Sequence, residues 1–373
     1  MAAIEEFLKK QHGEGLLRSL RPFDKKEFID FSSNDYLGLA RHPKLIAASK
    51  AATEEFGASS SASRLMSGDS KLFHQLEEKA AQFKAKEAAL VFNSGYQANV
   101  GIISSLYAKD DCIFYDRLSH ASLIDGIILS GARHFRFQHN DAGHLEALLK
   151  KERSKFKEAL IVTESIFSMD GDRAPLKDLV SLKGKYNSEI FVDEAHATGV
   201  FGENGSGVVE EEGLSEKIDF IMGTFGKALG SFGAYLAASR KTVDYLVNTC
   251  RSFIYSTALP PGVIAANLTS LDLIREEPQR RLKLLESTQY FREGLKGKGF
   301  NIKGESQIVP LIIGDNLKTV EFADRLQDKG YWVKAIRPPT VPAGEARLRF
   351  SLTFNHQKQT MDKLINALSK RKI

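Results

Sequence analysis

The chain has 373 residues, of which 42% are hydrophobic and 27% charged, and both fractions are ordinary for a globular protein. This length exceeds that of a typical single domain, so we expect one large domain and a smaller one. The net charge of +5 comes from 52 basic and 47 acidic residues that do not cluster, which argues against a nucleic-acid-binding protein.

The cysteines and the N-terminus indicate the compartment. Cys112 and Cys250 are far apart and form no zinc or redox motif. The first residues, "MAAIEEFLKKQ", carry charges and lack the apolar stretch of a signal peptide. No run of about 18 apolar residues occurs, so no membrane-spanning helix is expected. These features predict a cytoplasmic protein that does not interact with membranes.

Short apolar runs alternate with helical patterns through the middle of the chain. The predicted strands are 88–93, 112–116, 159–165, 189–196, 217–225 and 233–239. Strands of this length separated by helices predict an α/β fold with a mainly parallel central sheet flanked by helices. The last two strands are too close in sequence for a helical crossover, so we expect them to pair antiparallel.

The pattern changes after "YSTALPPG". A long helix over 262–297 leads into "SQIVPLIIG", another helix, "YWVKAIRPP", "ARLRFSLT" and a last helix. This order predicts a smaller α+β domain at the C-terminus. The predicted division is an N-terminal segment 1–40, a large α/β domain 41–273 and a C-terminal α+β domain 274–373.

Polar side chains follow the predicted strands, where open α/β sheets bind their ligands. They are Ser94 and Gly95, His120, Ser168, Asp193 and His196, and Thr224 and Lys227. Each has an ordinary explanation when taken singly. An aspartate commonly caps a helix, a histidine is often a hydrogen-bonded core residue, and a serine at a helix start is often a plain cap. A lone lysine in the glycine-rich "GTFGKALGSFG" is usually a solvated charge.

The combination indicates a pyridoxal-phosphate site. A lysine can form a Schiff base with the cofactor aldehyde, and an aspartate keeps the ring nitrogen protonated. A helix N-terminus binds phosphate through its free N–H groups. The sequence contains no G-x-S-x-G, phosphate-loop, G-x-G-x-x-G or H-E-x-x-H motif, and its nine histidines show no metal-ligand spacing.

Several segments together are highly specific for one family. They are "FSSNDYLGLARHP", "DRLSHASLIDG", "TESIFSMDGD", "VDEAHATGVFGENGSG", "TFGKALGSFG" and "FIYSTALPP". Through them the chain resembles the α-oxoamine synthases, which are fold type I pyridoxal-phosphate enzymes, over nearly its whole length. The segment "IRPPTVPAGEARLRFSLT" (336–353) is similar to an alanine-using member rather than to the glycine-using ones.

The resemblance implies a role for each matching residue. Lys227 would hold the cofactor and move the substrate α-proton, Asp193 would pair with the pyridine nitrogen, and His196 would hydrogen-bond the phenolic oxygen. His120 would stack on the ring and act in catalysis, Ser168 would contact the cofactor, and Gly95, Tyr96 and Thr224 would bind the phosphate region. Arg18, Thr340 and Arg349 would bind substrate. Arg349 would clamp the amino-acid carboxylate through a bidentate fork, and Arg347 on the same strand would face the same side.

The implied reaction is the decarboxylative condensation of L-alanine with a pimeloyl thioester of coenzyme A or acyl carrier protein, in biotin synthesis. The enzyme would be a homodimer in which Ser256 or Thr257 reaches the neighbouring subunit's phosphate. Alternatives are a glycine-using acyltransferase of the same family and a cofactor-binding homologue without activity. The family's glycine-rich segment reads "GASSSASRLMSGDS" here (57–70), and its serines and alanines are still small enough to leave a substrate entrance open.

Overall fold

The computed structural model describes residues 2–24 and 26–369, and its contacts group into two units. The large unit comprises Leu37–Phe167 and Arg173–Arg281. The small unit comprises the described residues up to Tyr36, the segment Ser168–Asp172 and the described residues from Leu282 onward. The small unit therefore joins N-terminal and C-terminal parts of the chain. The domain boundaries at residues 40 and 273 stay predictions.

The large unit alternates strands and helices. Its strands are β2 (Ala88–Phe92), β3 (Cys112–Asp116), β4 (Arg133–Phe137), β5 (Ala159–Glu164), β6 (Glu189–Asp193), β7 (Phe220–Thr224) and β8 (Ala234–Ala238). Its helices are α2 (Pro43–Phe56), α3 (Lys71–Phe83), α4 (Gly95–Leu106), α5 (Ala121–Ser130), α6 (Ala142–Glu152), α7 (Leu176–Lys185), α8 (Val208–Glu211), α9 (Arg240–Thr249), α10 (Arg251–Ile254) and α11 (Pro261–Glu276).

In the described part of the chain, these strands form one sheet in the order β2-β8-β7-β6-β5-β3-β4. Strands β3 to β7 pair parallel, whereas β8 pairs antiparallel with both β7 and β2. This confirms the predicted parallel sheet and the antiparallel pairing of the last two strands. The carboxyl ends of the parallel strands consequently meet at one edge of the sheet.

Burial on both faces explains why the strands were readable from their apolar runs. Every residue of β2, β3, β5, β7 and β8 is buried. Strand β4, in contrast, was missed. It reads "RHFRF", lies at the sheet edge beside β3 and exposes three of its five residues, so no apolar run marks it.

The predicted single helix over 262–297 is wrong. Two helices occur instead, α11 (Pro261–Glu276) and α12 (Gln279–Gly297). Pro278 separates them, because proline has no N–H to continue the ladder and disfavours a helical conformation in the residue before it. Glu277 accordingly has φ −121° and ψ 56°.

The described residues of the small unit form several helices and two separate small sheets. Its helices are α1 (Ala2–Gly13), α12 from Leu282 onward, α13 (Asn316–Gln327) and α14 (Lys358–Ser369). Strand β1 (Ile29–Asp30) pairs with β10 (Tyr331–Trp332). Strands β11 (Lys334–Ile336), β12 (Ala346–Ser351) and β9 (Ile308–Gly314) form an antiparallel sheet in that order. The predicted fold class, with its smaller α+β part, is thus present. Among the described helices, none combines the length and apolar character that crossing a bilayer requires.

A buried histidine ties the N-terminal and C-terminal parts of the small unit together. His356 stacks on Phe31 with ring centres 4.0 Å apart. The backbone N–H of Thr353 donates to its Nδ1 over 3.0 Å, so the proton of the neutral ring is on Nε2, which donates to the carbonyl of Asp30 over 2.9 Å. Burial lowers the pKa of His356 to about 4, against a weaker opposing effect of the Asp30 carbonyl.

This histidine is expected to weaken the fold in acid. Between pH 6.5 and about pH 4, His356 binds a proton in the unfolded chain but not in the folded one. The stability present above pH 6.5 is therefore lost as the pH falls through this window, by up to about 3 kcal/mol from this residue. Urea unfolding across pH 4–7 measures it. His356→Gln, which does not titrate, should flatten the slope; an unchanged slope would contradict the assignment.

Candidate active site

A cavity of about 180 Å³ lies in the large unit at the carboxyl ends of the parallel strands. A cavity of about 150 Å³ admits a benzene molecule, so this one suits a single aromatic ring. Its lining residues are Gly95, Tyr96, Asn99, His120, Ser122, Glu164, Asp193, Ala195, His196, Met222, Thr224 and Lys227. Six of the polar positions predicted at the strand ends line this cavity, whereas Ser94 and Ser168 are not among its lining residues.

The loop between β7 and β8 carries Lys227 to this cavity. The loop is tight, because Phe225 N–H donates to the carbonyl of Gly233 and Gly230 N–H to the carbonyl of Lys227, each over 2.9 Å. Gly230 has φ 66°, and a Cβ there would collide with the backbone of Ala40. The glycines therefore serve close packing of the loop, and the Lys227 Nζ lies 2.8 Å from His196 Nε2. The lysine is half-buried and not a solvated surface charge.

Asp193 ends β6 as a buried carboxylate, 5% exposed. Its Oδ1 accepts from the backbone N–H of Ala195 over 2.8 Å, and its Oδ2 accepts from Asn99 Nδ2 over 2.9 Å. Both donors are neutral, so they orient the carboxylate without cancelling its charge. A buried carboxylate in this state is well suited to a cationic partner.

Asn99 connects Asp193 to His120 through Ser122. Its Nδ2 also donates to Ser122 Oγ over 3.0 Å, and Ser122 Oγ lies 2.7 Å from His120 Nδ1. The backbone N–H of Ser122 donates to the same Nδ1 over 3.2 Å, so Nδ1 is an acceptor and the proton of neutral His120 is on Nε2. Partial desolvation lowers the pKa of His120, although Asp193 opposes the shift.

The N-terminus of α4 borders the cavity. Ser94 caps this helix by accepting from Gln97 N–H over 3.2 Å. The first N–H groups of a helix have no partner within it and favour an anion. Gly95 and Tyr96 occupy these positions, while Thr224 is held by its Oγ1 bond of 2.8 Å to the carbonyl of Gly233.

Ser168 and two arginines belong to the small unit. Arg349, 7% exposed, donates from Nε to the Ser168 carbonyl over 2.7 Å and from Nη1 to Ser351 Oγ over 2.7 Å. Arg347, fully buried, pairs with the carboxylates of Asp170 at 2.9 Å and Glu345 at 2.7 Å. Both side chains reach residues 168–170, so the predicted common face of β12 is confirmed. Their electrostatic states differ, because Arg347 is neutralised and Arg349 is bonded to neutral oxygens.

The other two predicted substrate residues meet in the small unit. Arg18 Nη2 donates to Thr340 Oγ1 over 2.9 Å, although 322 positions separate them in the chain. Both are exposed. The predicted pair therefore shares one surface.

The serine-rich segment 57–70 is anchored in the large unit. Ser60 Oγ donates to the Leu259 carbonyl over 2.7 Å, and Ser63 forms a backbone bridge with Thr257. Ser61 has φ 53°, a left-handed conformation that glycine adopts without strain. Ser256 Oγ accepts from Gln97 Nε2 over 2.8 Å, next to the start of α4.

Seven of the predicted site residues thus surround one cavity: Gly95, Tyr96, His120, Asp193, His196, Thr224 and Lys227. Asn99, Ser122 and Glu164 were missed. Asn99 follows Gly95 by one helical turn, and this spacing was the signal available for it. Glu164 Oε1 accepts from the His120 backbone N–H over 2.7 Å.

The sequence pattern of one family, described as aminotransferase class I and II, matches residues 26–368. The chain belongs to the aminotransferase class I and II family. Among members with curated names, 8-amino-7-oxononanoate synthase of Geobacter metallireducens is 49% identical over 97% of this chain and 96% of its own.

Solved structures are also similar to this chain over most of its length. 8-Amino-7-oxononanoate synthase from Francisella tularensis has a TM-score of 0.79 and 30% identity, over 93% of this chain and 98% of its own. Serine palmitoyltransferase from S. paucimobilis, solved with pyridoxal phosphate (PLP) and myriocin bound, has a TM-score of 0.91 and 31% identity, over 98% of this chain and 96% of its own. The predicted resemblance, fold class and enzyme assignment are confirmed.

Proposed function

We propose that this chain catalyses the PLP-dependent decarboxylative condensation of L-alanine with a pimeloyl thioester, giving 8-amino-7-oxononanoate, carbon dioxide and free thiol in biotin biosynthesis. The named relatives confirm the predicted reaction and cofactor. The observation that carries the proposal is the single cavity in which the Lys227 amine, His196 and the buried Asp193 carboxylate converge. The role assigned to each residue is likewise our proposal.

The cavity residues fit a cationic aromatic ring with a phosphate. Asp193 presents a buried charge with neutral donors on both oxygens. Asn99 Oδ1, at the cavity wall, is a buried acceptor without a hydrogen-bond partner among the described residues. The start of α4 presents N–H groups for phosphate. The cavity therefore offers acceptors for a ring N–H and donors for a phosphate.

When bound, PLP supplies an aldehyde that condenses with amines and a protonated ring that accepts the electrons released at the substrate α-carbon. Lys227 supplies the amine that holds the cofactor. After the substrate amine has replaced it, the same Nζ removes the α-proton and later returns a proton to the product. His196 Nε2 lies 2.8 Å from Nζ in the resting site and fixes the position of the amine. With the cofactor bound, His196 would donate to the phenolic oxygen.

Asp193 keeps the ring nitrogen protonated, because an opposite charge in a buried site favours the charged form. Asn99 and Ala195 hold its two oxygens in place, so the carboxylate needs little reorganisation during the reaction. His120 packs against the ring face as a neutral imidazole whose Nε2–H is available for donation. Gly95, Tyr96 and Thr224 would bind the phosphate end of the cofactor.

Arg349 binds the amino-acid carboxylate. Burial makes an unneutralised guanidinium costly, and an incoming carboxylate relieves that cost through a bidentate pair. Arg347 already has two carboxylate partners and is therefore structural. Arg18 and Thr340, which share one hydrogen bond, contact the acyl substrate.

We further propose a cytoplasmic homodimer in which Ser256 or Thr257 reaches the partner's phosphate. Both cysteines are free and buried, which fits a reducing compartment. The large unit exposes apolar side chains that a second copy would cover, among them Met66 (81% exposed), Tyr255 (71%) and Leu129 (66%). Sedimentation velocity should show a species of twice 41.4 kDa, and a 41.4 kDa species at assay concentration would contradict the proposal.

Turnover tests the proposed reaction directly. The holoenzyme should release carbon dioxide from L-alanine with a pimeloyl thioester, and glycine should serve poorly. Lys227→Ala should lower kcat by at least about a thousandfold, because the amine that moves the proton is gone. Borohydride reduction followed by peptide mass analysis should place the cofactor on Lys227, whereas a label on the buried Lys84 or any other lysine would defeat the assignment.

The two arginines of β12 give a matched pair of variants. Arg349→Lys keeps a charge but loses the planar fork, so alanine affinity should fall about tenfold or more while the resting absorbance of the bound cofactor stays unchanged. Arg347→Lys should instead lower the free energy of unfolding, because it disturbs a buried ion pair, with alanine affinity nearly intact. Titrations of absorbance with alanine separate them, and the reverse pattern would exchange their roles.

A further inference from the structure

Asn99 is a buried amide whose hydrogen bonds join two groups of the candidate active site. It lies in the second turn of α4, lines the cavity and is 1% exposed. One partner is the Asp193 carboxylate at the end of β6. The other is Ser122, equally buried in the first turn of α5, which in turn contacts His120. We call these four residues the asparagine relay.

The hydrogen bonds of the relay run outward from Asn99. The amide has two hydrogens, and Nδ2 donates one to Asp193 Oδ2 over 2.9 Å and one to Ser122 Oγ over 3.0 Å. Ser122 Oγ therefore directs its own hydrogen to His120 Nδ1, which is 2.7 Å away. Turning the amide over would place its carbonyl oxygen against the Asp193 carboxylate, and two acceptors repel each other. The charge of Asp193 thus sets the orientation of the amide.

Close packing of α4 against α5 makes the relay possible. Gly126 follows Ser122 by one turn, so both lie on the same face of α5. A Cβ at Gly126 would lie 2.8 Å from the Asn99 carbonyl oxygen and 3.1 Å from the Cα of Val100. Glycine therefore lets the two helices approach each other until the side chains of Asn99 and Ser122 share a hydrogen bond.

One atom of Asn99 shows which of its bonds the fold favours. Its Oδ1 is buried and accepts no hydrogen bond from the described residues. Buried polar groups are nearly always hydrogen-bonded, because a missing bond costs free energy. An asparagine with only a structural role would satisfy both ends of its amide. Here the donors are satisfied and the acceptor is not, which indicates that donation to Asp193 and Ser122 is what this position requires.

We propose that Asn99 is a positioning residue for Asp193 and, through Ser122, for His120. A hydrogen bond donated to a carboxylate favours its charged form, so Asn99 keeps Asp193 ionised for the ring nitrogen of the cofactor. The hydroxyl and the backbone N–H of Ser122 both donate to His120 Nδ1, which keeps the proton of the neutral ring on Nε2. The inference rests on the proposed function, because it takes Asp193 as the partner of the cofactor.

The first test reads the protonation of the bound ring. The holoenzyme is reconstituted with PLP that carries ¹⁵N in its ring, and the NMR signal of that nitrogen is followed between about pH 7 and pH 9. In the parent enzyme the nitrogen should stay protonated throughout. In Asn99→Ala the signal should shift toward that of an unprotonated nitrogen as the pH rises, because the donor that favours the charged form of Asp193 is gone.

Two further variants separate positioning from a general loss of packing. Asn267 is another buried asparagine whose Oδ1 has no partner among the described residues, but it lies in α11 and does not line the cavity. Asn267→Ala should leave the ring nitrogen protonated. Ser122→Ala interrupts the relay beyond Asn99, so the ring nitrogen should again stay protonated. The ring signals of His120 should move in Ser122→Ala labelled with ¹⁵N-histidine, and His120→Gln identifies those signals by their loss.

The remaining titratable side chains at the cavity are the same in both asparagine variants, so a difference between the variants reports on Asn99. They are Tyr96, His120, Glu164, Asp193, His196 and Lys227. If Asn99→Ala does not fold, Asn99→Ser, whose shorter side chain cannot span the distance that Nδ2 bridges, replaces it in the same measurement.

Three results would overturn the proposal. The ring nitrogen stays protonated in the Asn99 variant, or Asn267→Ala shifts its signal equally, or the His120 signals are the same in Ser122→Ala and the parent. The labelled cofactor reports without turnover, so a failure of the proposed function is seen separately, as missing release of carbon dioxide by the parent enzyme.

Discussion

The buried ion pair between Lys84 and Glu194 is the constraint on which the candidate active site depends. Its atoms are 2.8 Å apart, and the two side chains are 1% and 0% exposed. Burial works against the charge of Lys84, yet Glu194 keeps its pKa above the ordinary value. Lys84 also donates to Thr198 Oγ1 and the Ser206 carbonyl, and Glu194 accepts from Val209 N–H over 2.9 Å. Removing one partner of such a pair typically costs about 3–5 kcal/mol.

This pair separates two neighbouring acids into different roles. Glu194 turns into the core, which anchors the segment that follows β6 and thereby places His196. Asp193, the preceding residue, is left at the cavity, where Asn99 and Ala195 hold it. A carboxylate neutralised by lysine thus stands beside a carboxylate that is held only by neutral donors. The second is the kind of group that can respond to a cationic ligand.

The same logic distinguishes the arginines of the small unit. Arg347 and Arg349 share one strand and one face, and both are buried. Arg347 is neutralised by Asp170 and Glu345, whereas Arg349 meets the Ser168 carbonyl and the Ser351 hydroxyl. The partners already present therefore distinguish the two arginines, because one is neutralised and the other is not.

The sequence by itself determined the family, the sheet apart from its edge strand β4, and most of the cavity. Strands buried on both faces read as apolar runs, and polar residues at their carboxyl ends must converge in a parallel sheet. Even the helix break at Pro278 was readable, although the prediction passed over it. Only the tertiary structure decided that β4 is an edge strand, that Asn99 holds Asp193, and that Arg347 rather than Arg349 is neutralised. The contacts of Asn99 with Asp193 and of Arg347 with Asp170 join residues that are 94 and 177 positions apart in the chain, and local spacing carries no information about such distant partners.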